Sequence, residues 1–218
     1  MTTNPGQESL IVHFRNLSTP RAAAVAGVLF ALLFGTALVL IRTSLPEGAA
    51  PGTQWTQSDH NIRIASLLMP FAGIAFLWFI GVVRDGFGGY EDKFFSSVFI
   101  GSGLLFLAMI FAASAVGAAL THSGGESAEF GRQLLLVLSK TYALRMAAVF
   151  MMSLATIWLK TGLMPRWLVI ATYVVAVVCI LATDITMWLT LTFPTWVLVV
   201  SVLLLNRSGV IDLDRDGH

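Results

Sequence analysis

The sequence predicts an all-α protein, a polytopic transmembrane helix bundle of six spans with both termini cytoplasmic. Three observations carry that expectation: the composition, the recurrence of long apolar stretches, and the basic residues beside them. Apolar residues make up 56% of the 218 residues and charged residues 11%, against about 45 to 50% and about 25% in soluble domains. With a mean hydropathy of +0.81, the chain carries more apolar surface than a water-soluble fold of this size can hide. The expected location is the plasma membrane, and the first partner is the lipid bilayer.

The formal net charge is only +1, with no basic stripe and no aromatic interleaving, so nucleic-acid binding has no electrostatic footprint. Cys179 is the only cysteine, which excludes an internal disulfide and a CxxC metal or redox site. It reads as a small buried apolar residue.

Residues 1–20 are polar and read as a short cytoplasmic tail, and 21–205 form the membrane domain. Thr19 and Pro20 start the first helix, whose span covers 22–41, about the 20 residues a bilayer requires. Gly27, Ala31 and Gly35 fall on one of its faces and suit close helix packing. A polar loop from Arg42 to Asn61 leads to the second span, 62–83. Pro70 removes a donor inside it and frees the carbonyl of Ser66, with the Ser66 hydroxyl the expected local substitute. The loop GFGGYEDK is glycine-rich but lacks the lysine and strand context of a phosphate-binding loop.

The third span, 94–120, is dense in small residues, among them Gly101, Gly103, Ser114 and Gly117, and is expected to be the most central helix. A long helix over 127–160 follows, about 50 Å at helical rise, so its first turns stand outside a hydrocarbon core of about 30 Å and the span is 134–159. Gly162 then stops one helix and Pro165 starts the next. The fifth span is 167–183, with Thr172, Ala176, Cys179 and Thr183 on one face; the sixth is 187–205, where Thr190 precedes Pro194 by four residues as Ser66 precedes Pro70. Residues 206–218 read as a polar cytoplasmic tail.

Orientation follows from the cations. Both termini inside puts Arg15, Arg21, Arg84, Lys93, Lys160, Arg166, Arg207 and Arg215 on the cytoplasmic side, and only Arg42, Arg63 and Arg132 outside. Trp55, Trp158, Trp167, Trp188 and Trp196 fall near span ends, where interfacial aromatics are expected.

The runs KTGLMPRWLVIATYVVAVVCILA and FPTWVLVVSVLLL resemble an uncharacterised family of small bacterial, often actinobacterial, multi-pass membrane proteins defined by a domain of unknown function. The likeness rests on Thr161, Gly162, Pro165, Arg166 and Trp167 and on Phe193, Pro194, Trp196 and Ser201. It implies a six-span architecture and no activity.

The candidate site lies on the fourth span. Lys140 and Arg145 sit inside an apolar sequence, about 10 and 16 Å below a boundary near Leu134 by helical rise. Cations at such depth normally face a protein interior or a cavity and have a partner. Asp184 is the acid expected at similar depth, and three readings stay open: it pairs with Lys140 or Arg145, the residues not saying which; the cations receive an anionic group such as a lipid headgroup; or they snorkel to the interface. Thr141, Arg145, Met152 and Thr156 fall on one helix face and form a weakly polar stripe suited to an interior cavity. The candidate ligand-binding residues are therefore Lys140, Arg145, Asp184, Thr141 and Thr156.

No catalytic, metal or cofactor site is expected. His13, His60, His122 and His218 all lie outside the spans, without HxxxH or HxxE spacing. Asp212, Asp214, Asp216 and Gly217 match only the first half of a calcium loop. Two function classes stay open. One is a non-catalytic accessory subunit or small carrier-like protein that binds an anionic or amphipathic, lipid-like ligand near Arg145 and Lys140, with a membrane protein or a second copy as a further partner. The other is a membrane-embedded enzyme acting on a lipid substrate. The lack of a nucleophile, acid and base clustered in one span favours the first.

Overall fold

The structure, a computed structural model, describes residues 19–44, 58–85, 93–120, 126–182 and 187–215. Among them all regular structure is helical: α1 (Thr19–Ser44), α2 (Ser58–Asp85), α3 (Lys93–Leu120), α4 (Glu126–Leu136), a π-helical segment (Val137–Tyr142), α5 (Ala143–Thr161), α6 (Arg166–Leu181), a 3-10 segment (Met187–Leu191) and α7 (Thr192–Arg215). Five stretches are long and apolar enough to cross a membrane, Ala24–Ser44, His60–Asp85, Phe94–Leu120, Ser127–Thr161 and Trp188–Asn206, and α6 is a shorter apolar helix.

The helices close a ring. α1 packs on α2 and α7, α2 on α3, α3 on α5, and α5 on α6. Trp196 Nε1 of α7 donates to Thr172 Oγ1 of α6 at 3.0 Å and joins its ends. Apolar side chains gain little from helix association when lipid is the alternative, so close packing and such polar contacts hold the ring together.

Phenylalanines fill the middle. Phe30, Phe76, Phe106, Phe150 and Phe193, one each from α1, α2, α3, α5 and α7, are all buried. Their ring centroids lie 4.7 Å (Phe30, Phe76), 5.2 Å (Phe76, Phe106), 5.2 Å (Phe76, Phe150) and 4.8 Å (Phe106, Phe193) apart. Tilted and edge-on pairs of this kind are worth about 0.5 to 1.5 kcal/mol each beyond their burial. Trp158 and Trp196 join the same core, 6.0 Å apart and buried. They are therefore not interfacial anchors, unlike the exposed Trp167 and Trp188; Trp55 lies outside the described residues.

The helix ends also depart from the sequence reading. α1 runs three residues past Ile41, to Ser44, because no breaker stands before Pro46. α6 ends at Leu181, and the last helix begins as a 3-10 turn and continues through Arg215. The tight turn between α5 and α6 is as expected. Gly162 adopts φ 66° and gives its N–H to the Trp158 carbonyl at 2.9 Å, and the Pro165 carbonyl accepts from Leu168 and Val169.

The small-residue density of α3 does not make it the most buried helix. Buried residues cover most of α5, whereas Gly101 of α3 faces open space. The small residues of α3 serve particular contacts instead: a side chain at Gly103 would meet Ile80 and Phe150, and one at Gly117 would collide with Ser66 Oγ. The proline break in α2 is also repaired differently from the local expectation. The Ser66 carbonyl, freed by Pro70, accepts a hydrogen bond from Ser114 Oγ of α3 at 2.7 Å.

Candidate functional site

The helix that carries both candidate cations is not regular. Between α4 and α5 the backbone widens into the π segment, where the N–H of Ala143 reaches the carbonyl of Leu138, five residues back. A π turn inserts about one residue of rotation, and such insertions recur at functional sites. Thr141 lies inside the segment, so its α-helical relation to Arg145 does not carry across. The widening also turns Ser139 into the protein: it is 3% exposed, and its Oγ has no hydrogen-bond partner.

A second irregular element lies against the first. The 3-10 segment touches both the π segment and the end of α1. It forms because Pro194 denies the Thr190 carbonyl an α-helical donor; the next carbonyl, of Leu191, accepts from Thr195 Oγ1 at 2.8 Å. Here α1 delivers Arg42, which is 4% exposed and donates from Nη2 to Thr190 Oγ1 at 3.4 Å. Reading Arg42 as the start of a loop missed this buried guanidinium. The absence of a helix breaker between Ile41 and Pro46 was the available signal.

Lys140 and Arg145 are both half-buried, but their surroundings differ. Lys140 is held by further interactions. Arg145 forms no hydrogen bond or ion pair with a described residue. Asp184, the expected counter-ion, lies outside the described residues, as do His13, His122 and His218.

The weakly polar stripe does not line an interior cavity. The inward face of α5 is Ala143, Ala147, Phe150, Met151, Leu154 and Trp158, all buried, whereas Arg145, Val149, Met152 and Thr156 are half-buried on the opposite side. The stripe therefore looks outward, beside α6. Thr156 Oγ1 lies 2.6 Å from the Tyr173 hydroxyl of α6 and donates to the Met152 carbonyl at 2.8 Å. With the one hydroxyl proton of Thr156 so used, Tyr173 is the donor of the pair.

Heights follow from helical rise. The 16 residues of α6 measure about 24 Å, and the same rise counted back along α5 from Thr161 reaches Arg145. Arg145 thus stands level with the far end of α6, and Lys140 and Ser139 lie beyond it. An open groove of about 900 Å³ lies elsewhere, between α1 and α2; Val25, Leu29, Phe71 and Trp78 among others line it, and it is apolar.

Among the described residues no group of His, Cys, Asp and Glu is arranged to hold a metal. No protein family, curated protein or solved structure matches the chain. Fold and composition together define a helical membrane protein.

Proposed function

We infer that this is a non-catalytic integral protein of the plasma membrane, with six spans and both termini cytoplasmic, that binds an anionic or amphipathic ligand beside Lys140 and Arg145. The observation that carries the reading is the contact between the π and 3-10 segments, with the buried Arg42 beside them. Non-α backbone at membrane depth persists where it is buried in protein or lines a site, and broken helices build many membrane binding sites. Lys140 inside the π segment and Arg145 in the first turn after it suit an anion.

Two features bear on the role. The five-ring phenylalanine cluster fills the middle of the bundle, so passage through it would require several packed rings to move together. That favours binding, as an accessory subunit does, over carriage. Among the described residues Ser139 Oγ has no hydrogen-bonded base, so none of them activates it as a nucleophile, which favours binding over lipid chemistry. The family resemblance of the C-terminal third is part of the same proposal and agrees with six spans.

The test is the melting temperature of the purified chain in neutral detergent, with and without dihexanoyl phosphatidylglycerol. Stabilisation is expected for the natural sequence and not for Lys140→Gln with Arg145→Gln. Equal stabilisation of both, or of neither, removes the reading.

A further inference from the structure

Arg145 is the described cation whose surroundings the bundle does not explain. It sits in the first turn of α5, half-buried on the face opposite the core, with no hydrogen bond or ion pair to a described residue. A guanidinium at membrane depth needs an anionic or acceptor partner. Its position selects the side from which one comes. The face it occupies looks outward beside α6, and α6 ends at its height, so the approach is lateral, from the lipid.

We propose that the outward strip of α5 below Arg145 seats one anionic phospholipid of the leaflet on the π-segment side. The Arg145 guanidinium takes the phosphate and one acyl chain lies along Val149 and Met152. This rests on the ligand reading above and names its chemistry. Arg145 offers paired N–H donors that match two phosphate oxygens. Tyr142, the last residue of the π segment, is 51% exposed beside the start of α5.

Below these donors the strip is apolar. It ends at the Thr156 and Tyr173 hydroxyls, which satisfy each other and so ask nothing of a lipid chain. From Arg145 to Thr156 is about 16 Å by helical rise, close to half of a hydrocarbon core of about 30 Å. One leaflet-deep chain therefore fits between the phosphate donors and the hydroxyl pair. Preference for an anionic headgroup follows from the Arg145 charge itself, which a net negative headgroup balances and a zwitterionic one does not, while Glu129, the carboxylate of α4 with a described side chain, is taken by Arg132 at 3.4 Å.

The experiment uses the full chain, reconstituted in phosphatidylcholine with an equal share of phosphatidylglycerol and then stripped with detergent, with retained lipids counted by intact-complex mass spectrometry. One phosphatidylglycerol is expected on the natural chain. Arg145→Gln should lower its retention about tenfold, the loss of a charge-assisted contact. Met152→Trp fills the strip without touching the phosphate donors, should have the same effect, and stands as the test if Arg145→Gln does not fold.

Retention unchanged in both variants overturns the proposal, as does equal retention of phosphatidylcholine. Displacement of the lipid by inorganic phosphate would mean that the site takes a free anion; that outcome overturns the lipid seat and leaves the ligand reading standing. Loss in Lys140→Gln with retention in Arg145→Gln also leaves that reading standing and overturns the strip.

Discussion

The hydroxyl of Ser114 in α3 donates to the carbonyl of Ser66 in α2 at 2.7 Å, and the bond exists because Pro70 has no N–H to give that carbonyl. One helix thus repairs a break in its neighbour, where no water is at hand. The repair also locks the two together. Gly117, one turn further along α3, lets Ser66 approach so closely that a side chain there would strike its Oγ.

Ser114→Ala should destabilise the bundle by about 1 kcal/mol, within the range for a buried acceptor left unsatisfied. In a Pro70→Ala background the restored N–H supplies the carbonyl, so the same change should cost little. Unfolding titrations of the four variants form the cycle. Equal losses in both backgrounds would separate the hydrogen bond from the proline.

Gly117→Leu should cut folded yield sharply, since overpacking a close contact costs about 1 to 3 kcal/mol and here meets another helix. Gly101→Leu should be tolerated better, because nothing lies within 4 Å of a Cβ placed there. Yield and melting temperature of the two variants decide it. A harmless Gly117→Leu would mean that α2 and α3 do not meet as described.

The buried indole of Trp196 gives its N–H to Thr172 at 3.0 Å. Thr172→Val removes the acceptor and keeps the shape. Polar contacts between membrane helices average about 0.6 kcal/mol, but an orphaned buried donor reaches about 1 to 3. A loss near the upper range, read by reversible unfolding, is expected if this bond closes the ring; a loss below the average would leave the closure to packing alone.

The orientation rests on the cations flanking the spans. A reporter fused after Arg207 should report from the cytoplasm, and one in the loop around Gly52 from outside. Opposite labelling would reverse the leaflet assigned to Arg145 and leave the geometry of its site unchanged.

Which stretches form helices long and apolar enough to cross a membrane was legible, because such helices need a long apolar run and the breakers Gly162 and Pro165 mark a helix pair without ambiguity. Which face of each helix turns inward was not. In lipid both faces are apolar, so a sequence such as α3 carries almost no amphipathic signal, and its small residues served both as local contacts, at Gly103 and Gly117, and as outward positions, at Gly101. The same blindness placed the polar stripe of α5 inside the bundle when it faces out. Lys140 and Arg145 stood out as ionisable groups within an apolar run. Arg42 did not, since it lies at the edge of one, and only the continuation of α1 to Ser44 buries it. The π segment has no signature in VLSKTY that separates it from an α-helix.

The most direct measurement is an experimental density map of the protein in a bilayer disc that contains phosphatidylglycerol. Elongated density along Val149 and Met152, with its strongest peak against the Arg145 guanidinium, is the expected result. A map in which a protein carboxylate occupies Arg145 and the strip carries no ordered lipid would contradict it.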